Sequence, residues 1–152
     1  MIIINLIQKL SWKMDKKIFK DDRFFVAGAS GMAGSAICRS LSKNGYGDIN
    51  ASEYNDVVID NDFGNKIYGN GGADNIRGKG GNDEIFGGEG RDKLRGDFGK
   101  DKIYGESGED TLYGDSGNDY LSGGSYKDKL YGGTGKDTLR GGTSSDKLYG
   151  GS

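Results

Sequence analysis

From Gly69 to Tyr149 the chain repeats itself every nine residues without a gap, in nine successive units that run from GNGGADNIR to GGTSSDKLY. Every unit keeps glycine first, aspartate sixth and isoleucine or leucine eighth. The sixth positions are Asp74, Asp83, Asp92, Asp101, Asp110, Asp119, Asp128, Asp137 and Asp146. The eighth positions are Ile76, Ile85, Leu94, Ile103, Leu112, Leu121, Leu130, Leu139 and Leu148. A nine-residue unit with one aliphatic side chain cannot bury that side chain by itself, so the units must stack and share a continuous core.

Composition narrows the alternatives. Glycine accounts for 30 of 152 residues, and Leu, Ile, Val and Phe together for only 30. That is just under the roughly one-fifth below which a chain struggles to build a conventional core. The net charge of −2 removes the other mark of disorder, and the absence of proline excludes collagen and polyproline linkers. Balanced charge leaves no electrostatic footprint for nucleic acid. There is no histidine, which excludes histidine-based catalysis and histidine-ligated zinc, and the single cysteine, Cys38, excludes an internal disulfide framework. No run of 18 apolar residues exists to span a bilayer.

The repeat resembles the calcium-binding nonapeptide of the repeat-in-toxin (RTX) family, G-G-x-G-x-D-x-U-x with U a large aliphatic residue. The resemblance covers 84 of the 152 residues. It implies a mainly β fold, a parallel β-roll solenoid with two units per turn, each giving a glycine-rich bend and a short strand, and calcium held between stacked bends by the nine aspartates. The chain departs from the pattern at position two, where Asn70, Lys79, Asp97, Glu106 and Asp115 replace glycine, and at position four, where Tyr126 and Ser144 do. Side chains at position two are expected to point outward and be tolerated.

The residue types have their own physical logic. Glycine supplies positive φ and bare carbonyls at a repeated bend, and calcium is a hard ion that takes six to eight oxygens. With two units per turn the aspartates fall into two edge rows, and neighbours within a row sit about 4.8 Å apart. At an effective dielectric near 20 each unscreened pair repels by about 3 kcal/mol, a sign that a dication between them reverses. The nine aspartates leave seven gaps within rows, hence about seven ions. One aliphatic residue per unit is a thin core for so much glycine, so metal binding is expected to supply folding free energy. Tyr104, Tyr113, Tyr131 and Tyr149 are read as covering an outer sheet face, with an adhesive or carbohydrate-binding surface as the rival. The last unit is followed only by Gly150, Gly151 and Ser152. An unfinished sheet edge there predicts fraying or self-association end to end.

The front of the chain differs. Residues 24–27 read as a short buried strand and residues 32–43 as a helix closed by Gly45, with Gly28, Gly31 and Gly34 at the junction where a dinucleotide pyrophosphate would rest. This stretch of about 30 residues resembles the amino terminus of GDP-L-fucose synthase and the extended short-chain dehydrogenase family, which implies a Rossmann-like βα unit and NADP. No tyrosine has a lysine four residues on, so the proton-transferring pair of that family is missing. Residues 1–13 carry a helical apolar stripe, Ile3, Leu6, Ile7 and Leu10, able to touch a membrane surface. Residues 51–68 read as two decayed repeats, Asp56 with Val58 and Asn65 with Ile67, of the kind that cap solenoids.

The expected layout is an extension at 1–22, a βα remnant at 23–50, capping repeats at 51–68 and a calcium-binding β-roll at 69–152. The expected function is a non-enzymatic module that folds on calcium, extracellular or at the cell surface as the resemblance implies. The alternative is a non-catalytic fragment of an NADP-dependent nucleotide-sugar reductase or epimerase.

Overall fold

The computed structural model describes residues 48–152 in full and, ahead of them, the backbone of two short strands. Those strands are Phe24–Phe25 (β1) and Ala36–Arg39 (β2). Ile49–Asn50 (β3), Asp56–Ile59 (β4), Lys66–Tyr68 (β5) and Asn75–Gly80 (β6) follow. Then come Glu84–Glu89 (β7), Lys93–Phe98 (β8), Lys102–Ser107 (β9) and Thr111–Ser116 (β10). Tyr120–Ser125 (β11), Lys129–Thr134 (β12), Thr138–Gly142 (β13) and Lys147–Gly151 (β14) complete the series.

Odd strands form one seven-stranded sheet and even strands another, each in chain order. Every pairing is parallel, and from β3 onward the rungs join residues eighteen apart, as in Leu94↔Leu112↔Leu130 and Ile85↔Ile103↔Leu121. Two nonapeptides therefore make one turn of a parallel β-solenoid. A period of nine sends consecutive units to opposite sheets, and the strand period of two turns position eight inward from both. Val58, Ile67, Ile76, Ile85, Leu94, Ile103, Leu112, Leu121 and Leu130 are all at most 1 % exposed and form one axial column. Val58 and Ile67 extend that column forward, so residues 51–68 join the solenoid despite their missing glycines.

Position four closes the bend. At Gly117, φ is +143°, and a Cβ there would lie 1.5 Å from the carbonyl oxygen of Gly99 in the preceding turn. Tyr126 and Ser144 hold the same position at φ 76° and 86°, nearer the left-handed region that L residues tolerate. Position two proves to be a second left-handed site. Asn70, Lys79, Asp97, Glu106 and Asp115 lie at φ 68–76°. Nor do they all point freely outward: Asp97 is buried against Arg77, and Asp115 pairs with Arg95 at 3.1 Å.

The helix expected over residues 32–43 is corrected at its centre. Ala36–Arg39 is strand β2, parallel to β4 from Ala36↔Asp56 to Arg39↔Ile59. An open sheet edge offers a row of unpaired backbone groups, and pairing with it overrides a helical preference worth only tenths of a kcal/mol per residue. Phe24–Phe25 is a strand as expected, but it pairs with β3 of the solenoid, Phe24↔Ile49 and Phe25↔Asn50. No helix and no Rossmann-like βα unit occur among the described residues. Gly28, Gly31 and Gly34, and the apolar stripe of residues 1–13, lie outside them.

Candidate metal centre

The aspartate at position six ends each bend, and the eighteen-residue register brings every second one into line. Down one edge run Asp56, Asp74, Asp92, Asp110, Asp128 and Asp146; down the other run Asn65, Asp83, Asp101, Asp119 and Asp137. The rows hold themselves by one repeated hydrogen bond, in which each backbone N–H donates to the Oδ1 of the next turn. Asp74 N donates to Asp92, Asp92 to Asp110 and Asp83 to Asp101, each at 2.8 Å. The series continues with Asp101 to Asp119, Asp110 to Asp128 and Asp119 to Asp137 at 2.9 Å, then Asp128 to Asp146 at 3.0 Å. Asp56 and Asn65 open the rows by donating to Asp74 and Asp83 at 2.8 Å. They are the site residues that a strict glycine-first motif passes over, although the nine-residue register marks them.

All the sequence-predicted aspartates from Asp74 to Asp128 are buried, at 2 % exposure or less. Only Asp137 and Asp146, in the last turn, are half-buried. Oδ1 is satisfied by the ladder, but Oδ2 has no hydrogen-bond partner in Asp74, Asp83, Asp92, Asp101, Asp110, Asp119, Asp128 or Asp137. Eight orphaned carboxylate oxygens in a protein of this size are a large departure from the rule that buried polar atoms find partners.

Glycine at position one explains what surrounds each Oδ2. A Cβ on Gly105 would sit 2.4 Å from Asp110 Oδ2 and 2.6 Å from the Gly123 carbonyl oxygen; on Gly114 it would sit 2.5 Å from Asp119 Oδ2 and 2.6 Å from the Gly132 carbonyl oxygen. The missing side chain leaves a cradle between a carboxylate and a carbonyl of the next turn. Among the described residues no three acidic or thiol side chains converge on one point. A cation held here takes one carboxylate per turn and completes its shell with backbone carbonyls, a donor set that suits a hard, flexible ion such as calcium.

Burial dominates the protonation of these groups. It raises the carboxyls of Asp74, Asp83 and Asp110 to about 7 and those of Asp101 and Asp128 to about 6, against the opposing backbone hydrogen bond. Asp92 and Asp119 are raised by the same cause. Without a counter-charge, burial thus makes ionising the ladder more costly than ionising an exposed aspartate.

The two rows differ in their bends. Both departures from glycine at position four, Tyr126 and Ser144, fall on the row of Asp128 and Asp146. Beside Tyr126 the bond from Gly108 N to the Ser125 carbonyl stretches to 3.3 Å, whereas Gly90 earlier on that row makes the equivalent bond at 2.8 Å and Gly99, Gly117 and Gly135 on the other edge at 2.9–3.0 Å. Replacing Asp119 by Asn is therefore expected to reduce calcium-induced folding more than replacing Asp128 by Asn. Equal losses in calcium titrations of the two variants would show that position four does not set site quality.

A parallel solenoid of nonapeptide turns, with oxygen ladders along both edges and a glycine cradle beside each carboxylate, fits a calcium-binding structural module. The chain belongs to the RTX calcium-binding nonapeptide repeat family, which matches residues 50–85, 86–121 and 122–152. Repeats of this family bind calcium ions. No curated protein and no solved structure matches the chain.

Proposed function

We propose that the solenoid is a non-catalytic calcium-dependent scaffold of a secreted or surface-displayed protein, in which the nine repeat aspartates from Asp74 to Asp146 are the carboxylate ligands and calcium completes folding. The observation that carries this is the set of eight buried Oδ2 atoms without partners, each beside the cradle left by a glycine at position one. Asp56 adds one more ligand at the front through Oδ1, because its Oδ2 already accepts from Ser52 N and Oγ at 2.7 Å. Sites with a single carboxylate per turn belong with weaker calcium modules, whose dissociation constants of about 0.1–1 mM match extracellular rather than cytosolic calcium. Folding would then follow exposure to calcium outside the cell.

The test is stoichiometry. One ion per gap between ladder aspartates gives seven from Asp74 to Asp146 and an eighth from the Asp56–Asp74 gap. Equilibrium dialysis at millimolar calcium should find about that many bound ions, and magnesium should not displace them because it demands a tighter octahedral shell. A stoichiometry of one or none overturns the assignment.

A further inference from the structure

The outward charges of the solenoid are not spread evenly along it. Between Lys66 and Asp115 most cations have an anion beside them, Lys66 with Glu84 at 3.1 Å, Arg95 with Asp115 at 3.1 Å, Arg77 with Asp97 and Arg91 with Glu109, while Lys79, Lys93 and Lys100 make no ion pair among the described residues. Beyond Asp115 the only acidic residues are the ladder aspartates Asp119, Asp128, Asp137 and Asp146. Lys127, Lys129, Lys136, Arg140 and Lys147 are all exposed there, and none makes an ion pair among the described residues.

The contrast is sharpest along position seven. On the odd sheet the rung reads Lys66↔Glu84↔Lys102, opposite charges in register. On the even sheet Lys129 and Lys147 are direct rung partners, like charges about 4.8 Å apart on neighbouring strands. Such a pair is destabilising by itself, and nothing in the fold requires it. Two residues on, and so on the same face, Tyr113, Tyr131 and Tyr149 stack at 4.9 and 4.7 Å with their planes within 8°. The face is a stiff, flat strip of ammonium groups beside tyrosine edges.

We infer that the outer face of β12 and β14 is a docking strip for a linear acidic polysaccharide, whose carboxylates supply the counter-charge that Lys129 and Lys147 lack. The chain's own front segment is the wrong sign to cover it, because Lys and Arg outnumber Asp and Glu eight to three in residues 1–47. A membrane surface calls for protruding apolar side chains that enter the interface, and positions seven and nine of this face carry lysine and tyrosine instead. Single-stranded nucleic acid calls for open ring faces on which bases stack; here the rings already stack on one another. A polysaccharide needs only edges, hydroxyls and cations, and its ring length is close to the rung spacing.

This inference rests on calcium occupying the ladders, which offsets the charge of Asp119, Asp128, Asp137 and Asp146 at this end of the solenoid. The experiment therefore reads folding and binding on the same samples. With the full chain in millimolar calcium, circular dichroism reports β structure while titration calorimetry measures binding of hyaluronate, of neutral dextran and of phosphatidylserine vesicles. Hyaluronate is expected to bind, more weakly as salt rises, and dextran to give no heat. The Lys129→Gln/Lys147→Gln double variant should lose roughly tenfold in affinity with its calcium-induced spectrum intact. Lys66→Gln/Lys102→Gln on the other sheet should bind as the parent does. A chain that folds with calcium but ignores hyaluronate, binds dextran equally well, binds only vesicles, or is indifferent to the Lys129 and Lys147 changes overturns the docking strip alone. A chain whose spectrum ignores calcium overturns the calcium-dependent fold, and the docking strip with it.

Discussion

Chelating calcium from the folded chain should abolish most of its β structure, and restoring calcium should return it. Three features make the effect large. The core is a single column of aliphatic side chains, one per nonapeptide, running from Val58 to Leu130. Against it stands the ordering of a glycine-rich backbone, the most costly kind to fix. The third term is electrostatic: ionised carboxylates stand one strand spacing apart in two rows, and from Asp74 to Asp137 each has an Oδ2 that no protein donor reaches. A divalent ion turns repulsion between turns into attraction and satisfies those oxygens at once, so its binding free energy enters directly as folding free energy. Far-ultraviolet circular dichroism through a calcium titration and a chelator back-titration measures this. A spectrum indifferent to both would mean that ladder hydrogen bonds and the aliphatic column suffice, and the calcium-dependent fold would fall. Magnesium at the same concentration should leave the chain largely unfolded.

What the sequence made legible was whatever repeats with the turn. The nine-residue period placed aspartate and aliphatic columns correctly, and it reached back to Asp56, Val58 and Ile67, where glycine no longer marks the bend. What it hid were relations between turns. Arg77 pairs with Asp97 twenty residues on, and Arg95 with Asp115 likewise. Those pairs follow only once the eighteen-residue register is known, and they convert position two from an indifferent outward site into one that carries charge pairing. The need of position two for left-handed backbone was masked because Asn, Asp, Glu and Lys stand there with φ near 70°, a region Asn and Asp enter more readily than most. The front misled for a different reason. A local pattern of strand, glycines and helix was outweighed at Ala36–Arg39 by the hydrogen-bonding edge of β4, a tertiary partner invisible in a window of neighbours.

The same ladder predicts an inverted pH dependence when calcium is absent: the cation-free chain should be more structured near pH 4.5 than at pH 7.5. An aspartate free in the unfolded chain titrates near 3.9, whereas burial raises Asp74, Asp83 and Asp110 to about 7 and Asp101 and Asp128 to about 6 in the solenoid. Between these limits the folded state binds more protons than the unfolded one, so stability falls as pH rises. The contribution is complete below about pH 4 and lost as pH passes through 6 and 7. Calcium should reverse the trend, because it and the proton compete for the same Oδ2 atoms: its apparent affinity should climb between pH 5 and 7. Far-ultraviolet circular dichroism of calcium-stripped protein across this range, repeated in millimolar calcium, tests both halves. If the stripped protein's β signal stays level or rises from pH 4.5 to 7.5, the buried ladder is not what opposes folding, and the source of the calcium requirement must be sought outside these carboxylates.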